Sequence, residues 1–296
     1  MTIGQLVQRV ARTETAQRIL RRRRATRLAQ ALIQATTVRS PVRFVYRELS
    51  GSRTLERYRL RRSGQPVFIR HNTEDPFVLS EIFYTGHYQV PDHVGALLER
   101  LGRPPVVIDL GANIGLFGVW ALERFPGSQV TAFEPDPENA EVARRSIDAS
   151  GMGDSWRLVE AAATAQDGRV SFVSGEFSRS RIELHGGNEV DAVDIFPFLE
   201  QSDLAKIDIE GGEWVILDDP RFQELDLTAL VLEYHPDQAP VPDPQALALD
   251  ALRAAGYETR VVIEFGPGHG LLWAWHPGRD AGAGQPTSSF EDGRSA

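Results

Sequence analysis

Val106-Val107-Ile108-Asp109-Leu110-Gly111-Ala112-Asn113-Ile114-Gly115 is an apolar run that ends in a glycine turn and opens into the helical stretch Gly115–Arg124. A strand, a glycine turn and a helix in that order let backbone approach a bound nucleotide closely. It is not the dinucleotide fingerprint: the glycines stand at 111, 115 and 118, and an acid, Asp109, precedes the first by two residues. A carboxylate there would repel a pyrophosphate and suits a ligand with positive groups. S-adenosylmethionine has two, an ammonium and a sulfonium. Taken alone, Gly111 is equally accounted for by a tight strand-to-helix bend.

Outward from this stretch, everything after Pro104-Pro105 alternates short apolar runs with helical segments, the pattern of a parallel sheet covered on both faces. The expected strands are Val106–Leu110, Val130–Phe133, Trp156–Val159, Ala205–Ile209, Leu230–Glu233, Tyr257–Val262 and Leu271–Trp275, with an extra hairpin at Val170–Val173. The expected helices are Gly115–Arg124, Pro137–Ser150, Glu213–Asp218 and Pro244–Ala255.

Three further groups of residues carry chemistry. Glu134 ends the second run, about 20 residues beyond the glycine turn, where an acid accepts hydrogen bonds from both ribose hydroxyls. The same residue could instead cap the helix that starts at Pro135-Asp136-Pro137. The segment Lys206-Ile207-Asp208-Ile209-Glu210-Gly211-Gly212-Glu213 places four charged side chains at the end of a central strand, where open parallel sheets hold their ligands. Strand alternation sends Lys206, Asp208 and Glu210 to one side. An ion pair of Lys206 with Asp208 or Glu210, with Glu213 in a helix first turn, explains the segment equally without a ligand. The next strand ends Glu233-Tyr234-His235-Pro236, which makes His235 the first candidate for a general base, with Glu233 either to orient it or to join Asp208 in holding a divalent cation. A histidine before proline is otherwise an ordinary loop residue, and His71, His87, His185 and His269 are weaker candidates.

The chain has 296 residues, of which 42% are apolar and 25% charged, enough for a real core without staples. It has no cysteine, which excludes a disulfide scaffold, thiolate metal sites and cysteine nucleophiles. No run approaches about 18 apolar residues and no apolar signal core opens the chain, so the expectation is a cytoplasmic protein with no membrane span. The net charge of −9 is unevenly spread. Residues 1–70 hold 17 Arg against Glu14, Glu48 and Glu56, and the remainder is strongly acidic. Such an arm could pack on its own body, join two subunits or hold nucleic acid; the first two are favoured. Within it, Ile3, Leu6, Val7, Val10, Ile19, Leu20, Leu28, Leu32 and Ile33 suggest one or two amphipathic helices. Val42, Phe44 and Tyr46, then Tyr58, Leu60, Val67 and Ile69, suggest short antiparallel strands, and Asp75–His87 reads as a helix.

Four segments in order are similar to the FkbM-type methyltransferases: Thr73-Glu74-Asp75 through Glu81-Ile82-Phe83 to Tyr88, Val107 to Gly115, Phe133-Glu134-Pro135, and Lys206 to Glu213. The resemblance spans roughly Thr73 to His235. It implies a Rossmann-like α/β fold with a seven-stranded, mostly parallel sheet whose last strand is antiparallel. It also implies S-adenosylmethionine as cofactor and methyl transfer to a hydroxyl of a sugar, polyketide or other small metabolite. The cofactor is expected at Asp109, Gly111, Asn113, Gly115, Glu134 and Asp208. Catalysis is expected from His235, Asp208, Glu210 and Lys206, without a metal, since no dense metal-ligand motif is visible. Tyr84, Tyr88, Glu213 and Glu233 are assigned to the substrate and lid. The expected layout is a basic helical arm over 1–40, strands and a lid helix over 41–104, the cofactor domain over 105–277 and a disordered tail over 278–296. The arm is a candidate homodimer element. An RNA ribose methyltransferase and a non-catalytic nucleoside-binding protein are the alternatives.

Overall fold

A computed structural model describes residues 14–173, 181–182 and 188–277, so the expected tail lies outside the described residues. Helix α1 (Glu14–Ala35) and helix α2 (Pro41–Leu49) precede a hairpin of β1 (Leu55–Arg59) and β2 (Pro66–Arg70). Helix α3 (Asp75–Ser80) runs on as a wider π turn through Glu81–Thr85, and α4 (Asp92–Glu99) leads into the sheet. Then follow β3 (Val106–Leu110), α5 (Leu116–Arg124), β4 (Gln129–Phe133), α6 (Pro137–Ser150) and β5 (Trp156–Val159). An insertion of β6 (Ala162–Thr164), β7 (Gly168–Val173), β8 (Arg181–Ile182) and β9 (Asn188–Asp194) forms a small sheet of its own. The chain returns through α7 (Phe196–Leu199), β10 (Leu204–Ile207), α8 (Glu213–Asp218), β11 (Ala229–Tyr234), α9 (Pro244–Ala254), β12 (Glu258–Gly266) and β13 (His269–Trp275).

The seven-stranded sheet has the order β12-β13-β11-β10-β3-β4-β5. Strand β13 is antiparallel to both its neighbours and the other pairs are parallel, as the resemblance implied. Alternation along the central strands splits the core into two layers: Val107, Val130 and Val231 face one, with Ile108, Leu110, Phe133 and Leu230 facing the other. Edge strand β12 alternates exposed and half-buried positions. Helix α6 begins where Asp136 accepts hydrogen bonds from the Glu138 and Asn139 amides, so Asp136, not Glu134, is its cap.

The N-terminal elements share a core with the sheet, since Val38, Phe44, Tyr58 and Val67 belong to the layer that holds Phe117 and Val130. Part of the basic excess is neutralised within the molecule. Arg43 and Arg47 pair with Glu56, and Arg27 donates to Asn72 Oδ1 at 2.8 Å. Two local expectations fail here. Residues 41–49 form a helix, not a strand, because Val42 and Tyr46 are one helical turn apart and share an exposed face while Phe44 is fully buried. The inner face of α1 is Ala31, Gln34 and Ala35, and Leu28, Leu32 and Ile33 lie exposed, because small side chains let the helix approach the body closely. No helix among the described residues is long and apolar enough to cross a membrane.

Candidate active site

At the C-terminal ends of β3, β4, β10 and β11 lies a cavity of about 360 Å³, roofed by α3 and its π turn. That is the size range of small-molecule sites. One end is built from backbone. Gly111 has φ +79°, and a Cβ on it would stand 1.8 Å from the Asp208 carbonyl oxygen, so the loops after β3 and β10 touch only because this residue is glycine. Asn113 follows in the left-handed region at φ 50°. Its amide donates to Glu134 Oε2 at 2.7 Å, while the Asp136 amide donates to Glu134 Oε1 at 2.8 Å. Two backbone bonds thus aim the Glu134 carboxylate, and each oxygen keeps a lone pair for a ligand. Burial pushes the Glu134 carboxyl up to about 7 despite those bonds. Asn113 Oδ1 is buried against the cavity without a partner, an acceptor that a bound donor would satisfy.

The floor is Lys206, whose ammonium donates to the Gly111 carbonyl at 2.8 Å and meets Asp208 Oδ2 at 3.2 Å and Asp109 Oδ1 at 3.4 Å. Burial alone would lower its pKa, but the two aspartates outweigh that and hold it charged. The parallel register of β3 and β10 sets Lys206 beside Asp109.

The other end is built from side chains of separate elements. Glu81 comes from the roof, Glu210 from the loop after β10, Glu233 from β11 and His269 from the start of β13. His269 Nε2 and Glu233 Oε1 are 2.8 Å apart. Burial, then repulsion by Glu233 and Asp208, pushes Glu81 up to about 8. Burial foremost pushes Glu210 to about 8 and raises Glu233 as well.

Of the residues singled out in the sequence, Gly111, Asn113, Glu134, Lys206, Asp208, Glu210, Glu233 and Tyr88 line the cavity. Five do not. Asp109 is fully buried beneath Lys206, and Gly115 serves α5, packed where a Cβ would stand 3.1 Å from the Trp156 ring. Tyr84 points to solvent, 54% exposed. Glu213 is fully buried and clamps two loops, accepting from the Gly211 amide at 2.8 Å and the His235 amide at 2.7 Å. His235 lies behind the wall, its Nδ1 3.1 Å from Glu213 Oε1 and its Nε2 3.4 Å from Glu210 Oε2. Burial alone would lower its pKa, but Glu213, Glu210 and Asp208 outweigh that and hold it at about 10. The structure thus sets the His235 imidazole among carboxylates and outside the cavity lining. Strand β10 also ends at Ile207, two residues early, because Glu210 turns to φ 52° and carries the acids out into the loop.

The sequence reading gave no role to Glu81 and Asn139, which line the cavity, and ranked His269 low. Only the β11–β13 pairing reveals His269, since it lies 36 residues from its partner Glu233.

The family profile for the methyltransferase FkbM domain matches residues 109–259, just over half the chain. The chain belongs to the FkbM methyltransferase family. The cavity's donor set fits S-adenosylmethionine: acids for its cationic groups, Glu134 and the orphaned Asn113 oxygen for hydroxyl and amine donors. Among curated relatives, methyltransferase sdnD of Sordaria araneosa is 32% identical over 74 residues, 25% of this chain and 26% of that protein. The 2-O-methyltransferase NoeI of Sinorhizobium fredii is 34% identical over 88 residues, 30% and 34% of the two chains. This chain therefore spans about a quarter to a third of those relatives. The solved S-adenosylmethionine-dependent methyltransferase from Agrobacterium tumefaciens is 14% identical, with a TM-score of 0.41 over 76% of this chain and 70% of that one.

Proposed function

We propose that this methyltransferase acts on a hydroxyl of a small metabolite such as a sugar or polyketide. The observation that carries this reading is that one cavity joins the Glu134 end to a far end of carboxylates beneath a roof, with room for a compact acceptor. When bound, S-adenosylmethionine would supply an activated methyl group, with S-adenosylhomocysteine as the leaving group that balances the new oxygen–carbon bond. The chain's own task is positioning and proton removal. Glu134 and Asn113 hold the nucleoside, Lys206 fixes the floor, and Tyr88, buried and held un-ionised chiefly by burial, borders the acceptor. Glu81 lines the cavity from the roof, where burial raises its carboxyl to about 8, and its ionised form is placed to take a hydroxyl proton. The relative NoeI, a 2-O-methyltransferase, supports the same reading.

Incubation with methyl-labelled cofactor and matched sets of sugar alcohols, polyketide alcohols, amines and RNA tests the proposal. Label in a methyl ether of a small alcohol is expected. Label confined to amines or to RNA would overturn it.

A further inference from the structure

The acceptor end holds a group of side chains that repulsion alone should drive apart. Glu233, His235 and His269 bring one ligand atom each within 4.8 Å of one another, and Asp208, Glu210 and His235 form an overlapping group. Two of the three pairwise separations are close to those of atoms sharing an ion. Ligands about 2.1 Å from one metal stand roughly 3.0 Å apart at right angles and roughly 3.4 Å apart in a tetrahedron. Glu233 Oε1 lies 2.8 Å from His269 Nε2 and 3.6 Å from His235 Nε2. The latter is too long for a good hydrogen bond.

A second, independent feature lies outside the group. Glu213, fully buried, engages His235 Nδ1 and leaves Nε2 as the atom directed at Glu233 and Glu210. A carboxylate behind a histidine, fixing its tautomer and orientation, is the usual outer partner of a metal ligand. Glu213 also accepts from the His235 and Gly211 amides, so the orientation is set by the fold. Glu233 and His269 line the cavity, while His235 reaches the same point from behind.

We propose that Glu233, His235 and His269 bind one divalent transition-metal ion at the acceptor end of the cavity. Two imidazoles and a carboxylate favour zinc or manganese over magnesium, which prefers oxygen ligands. The ion, with a side open to the cavity, would hold the acceptor oxygen and lower the pKa of its hydroxyl, leaving Glu81 to receive the proton. This deepens the functional reading and rests on it for the identity of the acceptor.

The test is calorimetry of the full, chelator-treated chain with zinc, manganese and magnesium chlorides added separately, without cofactor or acceptor. One equivalent of zinc or manganese should bind, with magnesium at least about 30-fold weaker. His269→Ala, at a half-exposed position that leaves the fold intact, should weaken zinc or manganese at least about 30-fold while S-adenosylhomocysteine affinity stays within about threefold. His235→Ala should do the same wherever circular dichroism shows the native fold. No stoichiometric binding, equal binding of magnesium, or undiminished binding by His269→Ala overturns the inference. A metal-free chain that methylates alcohols sinks the metal alone. A metal-binding chain that methylates no alcohol sinks the functional reading alone.

Discussion

The two ends of the cavity are built by different means. At the nucleoside end, Gly111, Asn113, Glu134 and Asp136 lie within 26 residues, and backbone amides fix the carboxylate. At the acceptor end, Glu81, Glu210, Glu233 and His269 arrive from four separate places, and burial foremost, with repulsion between carboxylates, raises the pKa of each acid. The first is a socket shaped before any ligand arrives. The second is an electrostatic conflict that a positive guest relieves, which is why burial and repulsion dominate there. On the proposed function, binding falls to the end fixed by backbone amides and chemistry to the end built from side chains of separate elements.

The strongest way to break this comparison is Gly111→Ala. A Cβ 1.8 Å from the Asp208 carbonyl, at φ +79°, forces the two loops apart. The expected loss is roughly 3 kcal/mol or more of folding stability in denaturant titration. Normal stability together with normal S-adenosylhomocysteine binding would show that the socket is not set by backbone.

Next comes Glu81→Gln, which removes the roof carboxylate and keeps its shape. Single-turnover methyl transfer should fall about 100-fold, with S-adenosylhomocysteine affinity unchanged within about threefold. A parallel loss of cofactor affinity would place Glu81 at the wrong end.

Glu134→Ala should show the reverse separation. Calorimetry should find S-adenosylhomocysteine weakened by about 2 kcal/mol, roughly 30-fold, as charge-assisted hydrogen bonds are lost. Retained affinity would leave Glu134 as a brace for the Asn113 and Asp136 amides alone.

The smallest effect concerns pH. Glu134 and Glu81 have folded pKa values raised to about 7 and 8, so the fold keeps protons that the unfolded chain has lost. Their contribution is complete below about pH 4.5 and is lost as pH rises through 7 and 8. His235, raised to about 10, acts in the same direction between pH 6.5 and 10. The Tm of the ligand-free chain at constant ionic strength should therefore be lower at pH 8.5 than at pH 6, and Glu81→Gln should reduce that difference. A Tm that rises over this interval would contradict the raised values.

The sequence by itself determined the sheet and its socket. The runs at 106–110, 130–133 and 156–159 are short, apolar and separated by helices, and the residues that fix Glu134 are chain neighbours, so local pattern was enough. It misread Val42, Phe44 and Tyr46, because three alternate apolar positions fit a strand and a helix equally and only burial separates them. Only the tertiary structure decided the acceptor end. His269 meets Glu233 through the antiparallel return of β13, and Glu81 lines the same cavity from a roof more than 150 residues earlier in the chain. It also fixed the surroundings of His235, a candidate base at a strand end on paper and in the fold a buried ring held by Glu213. Spacing along a chain reports what one element can present. Charge state and partnership depend on burial and on neighbours from elements distant in sequence, and those exist only once the chain has closed on itself.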